Sequence, residues 1–137
     1  MTGAEPITYA LFVRWLVDGM NVIGSRPDGW WKDRHGAMVR FVQQLDRWAA
    51  AGGDDVTVVF ERPPSPQISS TAIGIAYAPR GRPNSADDEI TRILAEDPEP
   101  GEIRVVTSDR GLADRARTKG ATVVPATSFR SELEGEQ

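Results

Sequence analysis

The sequence predicts an α/β fold with three layers, α/β/α, around a central, mostly parallel sheet. Two observations carry that expectation. Short runs rich in valine and isoleucine alternate along the chain with segments whose apolar residues recur every three or four positions. One run, Val56 to Phe60, is apolar and β-branched almost throughout, as expected of a strand covered on both faces.

The elements follow in order. Trp15, Leu16 and Val17 lead a first strand that ends near Asp18, and Gly19 turns the chain. Residues 24–33 form a loop with Pro27-Asp28-Gly29 as its turn. A helix begins at about Arg34; Met38, Phe41, Val42, Leu45 and Trp48 form its apolar face, and Gly52 and Gly53 stop it. After the strand 56–60, Pro63, Pro64 and Pro66 make residues 61–70 a loop. Residues 71–77 give a third strand and 79–84 a second loop. A helix starts at Ser85 and turns Ile90, Ile93 and Leu94 inward. A strand at 103–107 leads to a helix at about 109–119, ended by Gly120. Residues 122–124 are the last strand, and 128–137 form a short helix or a frayed end. The chain has no internal repeats.

Bulk composition narrows the chemistry. The 137 residues suit one compact domain over 1–137, and 39% hydrophobic against 26% charged residues support a packed core. There is no cysteine, which excludes a disulfide scaffold, a thiolate zinc site and a cysteine nucleophile. It also fits a reducing, cytoplasmic setting. The lone histidine, His35, excludes a His-rich metal site and leaves a serine triad without an obvious base. Net charge is −4, so the chain is no bulk coat for nucleic acid, although acidic metal sites remain compatible with that sign. The apolar stretch 9–17 is interrupted by Arg14 and ends in Asp18; it reads as a buried strand rather than a signal peptide, and no stretch is long enough for a membrane helix.

In parallel sheets of this kind, ligands bind beyond the carboxyl ends of the strands. Asp18, Glu61 and Asp109 each directly follow a strand and are therefore expected on one edge. Three groups of residues gather there. In Val17-Asp18-Gly19-Met20-Asn21, a carboxylate and an amide share a small space, or merely cap a turn. In Ser85-Ala86-Asp87-Asp88-Glu89, Ser85 and Asp88 have capping-box spacing. At about 100° per residue Asp87 borders the inward face, while Asp88 points nearly opposite. Asp87 is thus the candidate functional acid, Asp88 the cap and Glu89 a solvated residue. In Thr107-Ser108-Asp109-Arg110-Gly111-Leu112, a hydroxyl and an acid open a helix. Asp109 is a candidate ligand, and Ser108 or Thr107 binds substrate or supports the carboxylate.

These three runs, in this order and spacing, resemble the YacP-like branch of the NYN domains within the PIN-like nuclease superfamily. The resemblance extends from about Trp15 to Leu133. It implies a PIN-like fold and a Mg²⁺- or Mn²⁺-dependent endoribonuclease acting in RNA processing or decay. Asp18, Asn21, Asp87 and Asp109 match the family's acidic site, with Ser108 beside it. The implied ligand set is Asp18, Asp87, Asp109 and Glu61. Two positions depart from the family pattern. Glu61-Arg62-Pro63 stands where related chains have an aspartate and a small residue, so Glu61 serves with a longer reach or is neutralised by Arg62. Met20 replaces an aromatic residue.

On the substrate side, Trp30 and Trp31 can stack on unpaired bases, or else cover the sheet edge and staple the following helix. Arg80, Arg82 and Arg110 are candidate phosphate contacts. RNA is the expected partner; a second copy of the chain and a ribosome or RNA-processing partner stay open. The rival from another class is a PIN-like module that binds RNA or protein without cutting. An aspartyl phosphohydrolase ranks lower, because Met20 stands where its second aspartate belongs. No Gly-x-Gly-x-x-Gly follows the first strand, which disfavours a dinucleotide site.

Overall fold

The structure, a computed structural model, describes residues 13–78 and 85–135, the side chain of Ser85 excepted. Five strands form one sheet in the order β3-β2-β1-β4-β5. They are β1 (Arg14–Asp18), β2 (Asp55–Phe60), β3 (Gly74–Tyr77), β4 (Ile103–Val106) and β5 (Thr122–Val124). Every pairing is parallel, with Asp18 opposite Val59 and Val17 opposite Val106.

Side chains alternate across the sheet, and both faces are buried. Trp15, Val17, Val56, Val58, Phe60 and Val106 pack into one core. Leu16, Val59, Ile103 and Val105 pack into the other. The first core is roofed by α2 (Arg34–Gly52) and α5 (Ala126–Gly135). The second is roofed by α3 (Ser85–Glu96) and α4 (Arg110–Thr118). The expected three layers are therefore present. Helix α2 buries Met38, Phe41, Val42, Leu45 and Ala49. Trp48 packs against Trp15 and Phe129 at centroid distances of 5.4 and 5.3 Å. Among the described residues no helix is long and apolar enough to cross a membrane.

The chain departs from the expected elements in four places. Residues Gly19–Ile23 form a short helix, α1, where a turn was expected. Its start lies so close to β2 that a Cβ on Gly19 would sit 2.6 Å from Phe60 Cε1 and 3.0 Å from Val58 Cγ2. Gly19→Ala is therefore expected to destabilise the chain by about 1–3 kcal/mol through overpacking. Urea unfolding checks this, and an unchanged midpoint would refute it. Trp30–Lys32 form a turn of 3₁₀ helix inside the expected loop. The third strand starts at Gly74 rather than at 71, because Thr71, Ala72 and Ile73 give their N–H groups to the Asp46 carboxylate instead of to a neighbouring strand. The tail is a helix from Ala126, two residues earlier than expected, with Phe129 and Leu133 buried. Residues before 13 and the loop 79–84 lie outside the described residues.

β1 has β2 on one side and β4 on the other, so the strand order reverses beside it. Such a switch point leaves a crevice beyond the carboxyl ends of the two diverging strands. Asp18 ends β1 and Asp109 follows β4, which sets both at that crevice.

Candidate active site

A cleft of about 260 Å³ opens at the carboxyl edge, lined by Asp18, Glu61, Asp87 and Asp109 together with Met20, Asn21, Val59 and Ala86. The four acids come from four separate segments. Asp18 is 6% exposed and stands at the N-cap of α1, yet its side chain makes no capping hydrogen bond. Instead its Oδ2 accepts from the Thr107 hydroxyl at 2.9 Å. Burial pushes the Asp18 carboxyl up to about 7; the Thr107 hydrogen bond opposes this, and the nearby charges of Asp87, Asp109 and Glu61 add to it.

Asp109 accepts the Leu112 N–H at 2.9 Å, so it caps α4 as well as lining the cleft. Asp87 lies in the first turn of α3, half-buried. Its carboxyl is also raised, first by burial and then by the charge of Asp109, while Arg115 opposes and Asp88 adds. Thr107, 1% exposed, works in both directions: its hydroxyl donates to Asp18 and its oxygen accepts the Asp109 N–H at 3.1 Å.

Asn21 lines the cleft, and its Oδ1 accepts the Ser108 N–H at 2.8 Å. The Ser108 Oγ accepts the Ala126 N–H at 2.9 Å, so this hydroxyl ties the loop to the start of α5. Of the two adjacent hydroxyls, Thr107 is the one that supports a carboxylate. The sequence offered both, with no periodicity at the strand end to choose between them.

Glu61 pairs with Arg34. The sequence places Arg34 near the site, after the first strand, but gives no sign that it pairs with Glu61. Glu89, expected in solvent, is 8% exposed and gripped by Arg92 through Nε–Oε1 at 3.0 Å and Nη2–Oε2 at 2.5 Å. The guanidinium lies over it from one turn further along the helix and shields it. Asp88 is exposed and bonded to Arg115 of α4 at 3.2 Å. Its expected capping box with Ser85 lies outside the described residues, as do Arg80 and Arg82.

Trp30 and Trp31 do not line the cleft. Trp30 packs on the first core and borders a separate pocket with Phe41 and Arg130. Trp31 is 54% exposed and meets Trp30 edge-on at 5.9 Å. Arg110 is exposed on the first turn of α4, next to Asp109, and is not itself a lining residue of the cleft.

The model of the YacP-like NYN domain matches residues 15–137. The chain belongs to this family. NYN domains are part of the PIN-like nuclease superfamily, whose members generally use divalent metals. Two crystal structures of Rae1 (YacP) from Bacillus subtilis are similar to this NYN chain. One, of a tryptophan-to-leucine mutant, has a TM-score of 0.75 at 24% identity, covering 90% of this chain and 76% of that one. The other has a TM-score of 0.72 at 24% identity, covering 89% and 74%. At that identity the likeness establishes the PIN-like fold. No curated protein matches the chain.

The donor set of this NYN domain fits a hard cation in kind, since every candidate ligand is an oxygen. Among the described residues, no three acidic side chains converge closely enough to cage an ion by themselves. Mg²⁺ does not require such a cage: it keeps several waters and takes one or two carboxylates beside substrate phosphate.

Proposed function

We propose that this chain is a metal-dependent endoribonuclease that hydrolyses phosphodiester bonds of RNA at the acidic cleft. One observation carries the reading. Four acids separated in sequence line a single cleft at the switch point of a parallel sheet, and one of them is buried with its carboxyl raised to about 7. A carboxylate held in such a place is a liability to the fold unless it serves a site.

Mg²⁺ or Mn²⁺ would be held by one or two of Asp18, Asp87 and Asp109 directly and by the remaining acids, Glu61 among them, through its waters. Bound there, the ion supplies Lewis-acid polarisation of the phosphate and activation of water. The chain's own residues set the geometry. Thr107 fixes one oxygen of Asp18 and the backbone of Asp109. Asn21 fixes the loop at Ser108. Arg34 engages Glu61 and keeps it from acting as a fully available ligand.

Cleavage of a labelled, partly single-stranded RNA with Mn²⁺ or Mg²⁺ tests this. Cutting is expected, and EDTA and Asp109→Asn are each expected to abolish it. Asparagine is as good an N-cap as aspartate, so this variant separates lost chemistry from lost fold. Folded protein that binds RNA without cutting under either metal would support the second reading, a non-catalytic RNA-binding module, which the Arg34–Glu61 pair favours.

A further inference from the structure

The acidic cleft does not end at Glu61. Met20 and Glu61 also line a second cavity of about 430 Å³, whose walls include Arg34, His35, Arg62, Pro63 and Pro64. Its volume lies within the roughly 300–1,000 Å³ of small-ligand pockets. The two cavities differ in charge. Among the described residues no lysine or arginine lines the acidic cleft, whereas two exposed arginines line its neighbour. Met20, Pro63 and Pro64 give this neighbour an apolar wall. His35 Nε2 is 2.7 Å from the Pro66 carbonyl oxygen. A carbonyl only accepts, so Nε2 carries a proton and donates it to this oxygen.

We propose that this second cavity is a nucleotide subsite, taking an unpaired nucleotide of single-stranded RNA next to the phosphate seated in the acidic cleft. The placement of that phosphate rests on the nuclease reading above. A cleft lined with carboxylates repels the backbone of its own substrate, so the strand needs a cationic hold close by. Arg62 supplies it beside Glu61, with the Glu61-paired Arg34 lining the same cavity. The thioether of Met20 and the rings of Pro63 and Pro64 offer apolar contact to a flat base. The His35 ring lines the same cavity and adds a flat face for a base. A paired base has its edge occupied and cannot enter, so the subsite selects unpaired RNA.

The chain has one histidine, so the His35 imidazole gives a unique NMR signal that reports on this cavity without any need for turnover. An RNA tetranucleotide titrated in EDTA is expected to move that signal saturably. Inorganic polyphosphate is expected to move it less. Arg62→Glu is expected to weaken RNA binding roughly tenfold. A signal that stays still, or moves as far with polyphosphate, or an Arg62→Glu affinity equal to the parent's, overturns the subsite. A parallel cleavage assay separates the two readings. Movement without cutting keeps the subsite and removes the nuclease; cutting without movement does the reverse.

Discussion

Asp18→Asn is expected to abolish RNA cleavage while making the metal-free protein more stable at pH 8. The two effects have one cause. In the folded chain the Asp18 carboxyl is raised from 3.8 to about 7, chiefly by burial. Between those two pH values the folded state holds more protons than the unfolded state. Linkage then requires stability to fall as pH rises through that window. The contribution of the neutral carboxyl is fully present below the unfolded value and is lost as pH passes the folded value. Asparagine carries no charge to bury and escapes the loss. At pH 8 the gain is on the order of 2 kcal/mol, after discounting for relaxation of the site. At about 4 °C per kcal/mol for a chain of this size, that is a rise in Tm of several degrees. Thermal unfolding of both proteins at pH 5 and pH 8 in EDTA checks it. Parallel pH dependences in the two proteins would show that Asp18 is not the buried charge responsible. On activity, the loss is expected to exceed the roughly 10–100-fold typical of removing a residue that merely supports a ligand.

Thr107→Val is expected to bring the second-largest effect, and in a different pattern. Valine matches threonine in shape but removes the donor to Asp18 and the acceptor of the Asp109 N–H. Stability is expected to fall by about 1–3 kcal/mol, because both partners are left unsatisfied. Activity is expected to fall about 10–100-fold. The diagnostic is the pH profile. The Thr107 hydrogen bond holds the Asp18 carboxyl down, so its loss moves the acid limb of the cleavage profile to higher pH. Thr107→Ser restores the hydroxyl and is expected to restore the profile. A uniform loss with an unshifted limb would mean that Thr107 supports packing alone.

Much of the fold is legible because burial on two faces leaves a mark in the sequence. The run from Val56 to Phe60 and the face Met38-Phe41-Val42-Leu45 are such marks. The four acids were legible for a related reason: three follow strands, and Asp87 borders an apolar helix face. The helix Gly19–Ile23 was not legible. Five residues are too few to show a period, and glycine, asparagine and two β-branched residues are poor helix formers. Packing of Val22 and Ile23 decides it. Glu89 was misread because its shield, Arg92, is a matter of one rotamer rather than of spacing. Trp30 and Trp31 sit in a segment without periodicity, so nothing in the sequence separated packing on the core from facing the cleft.

The central place of β1 also has a consequence for how the protein comes into being. Synthesis delivers β1, β2 and β3 first, and in the sheet β2 and β3 lie in that order on one side of β1. The other side of β1 stays an open edge until Ile103–Val106 have been made. An unfinished chain therefore exposes unpaired backbone beside Leu16 and Val17, the kind of edge that recruits foreign strands. It also holds no complete cleft, since Thr107 and Asp109 are still missing. Growth of the chain past residue 109 covers the open side of β1 with β4 and brings in the last acid of the cleft, while β5 still has to be added beyond it.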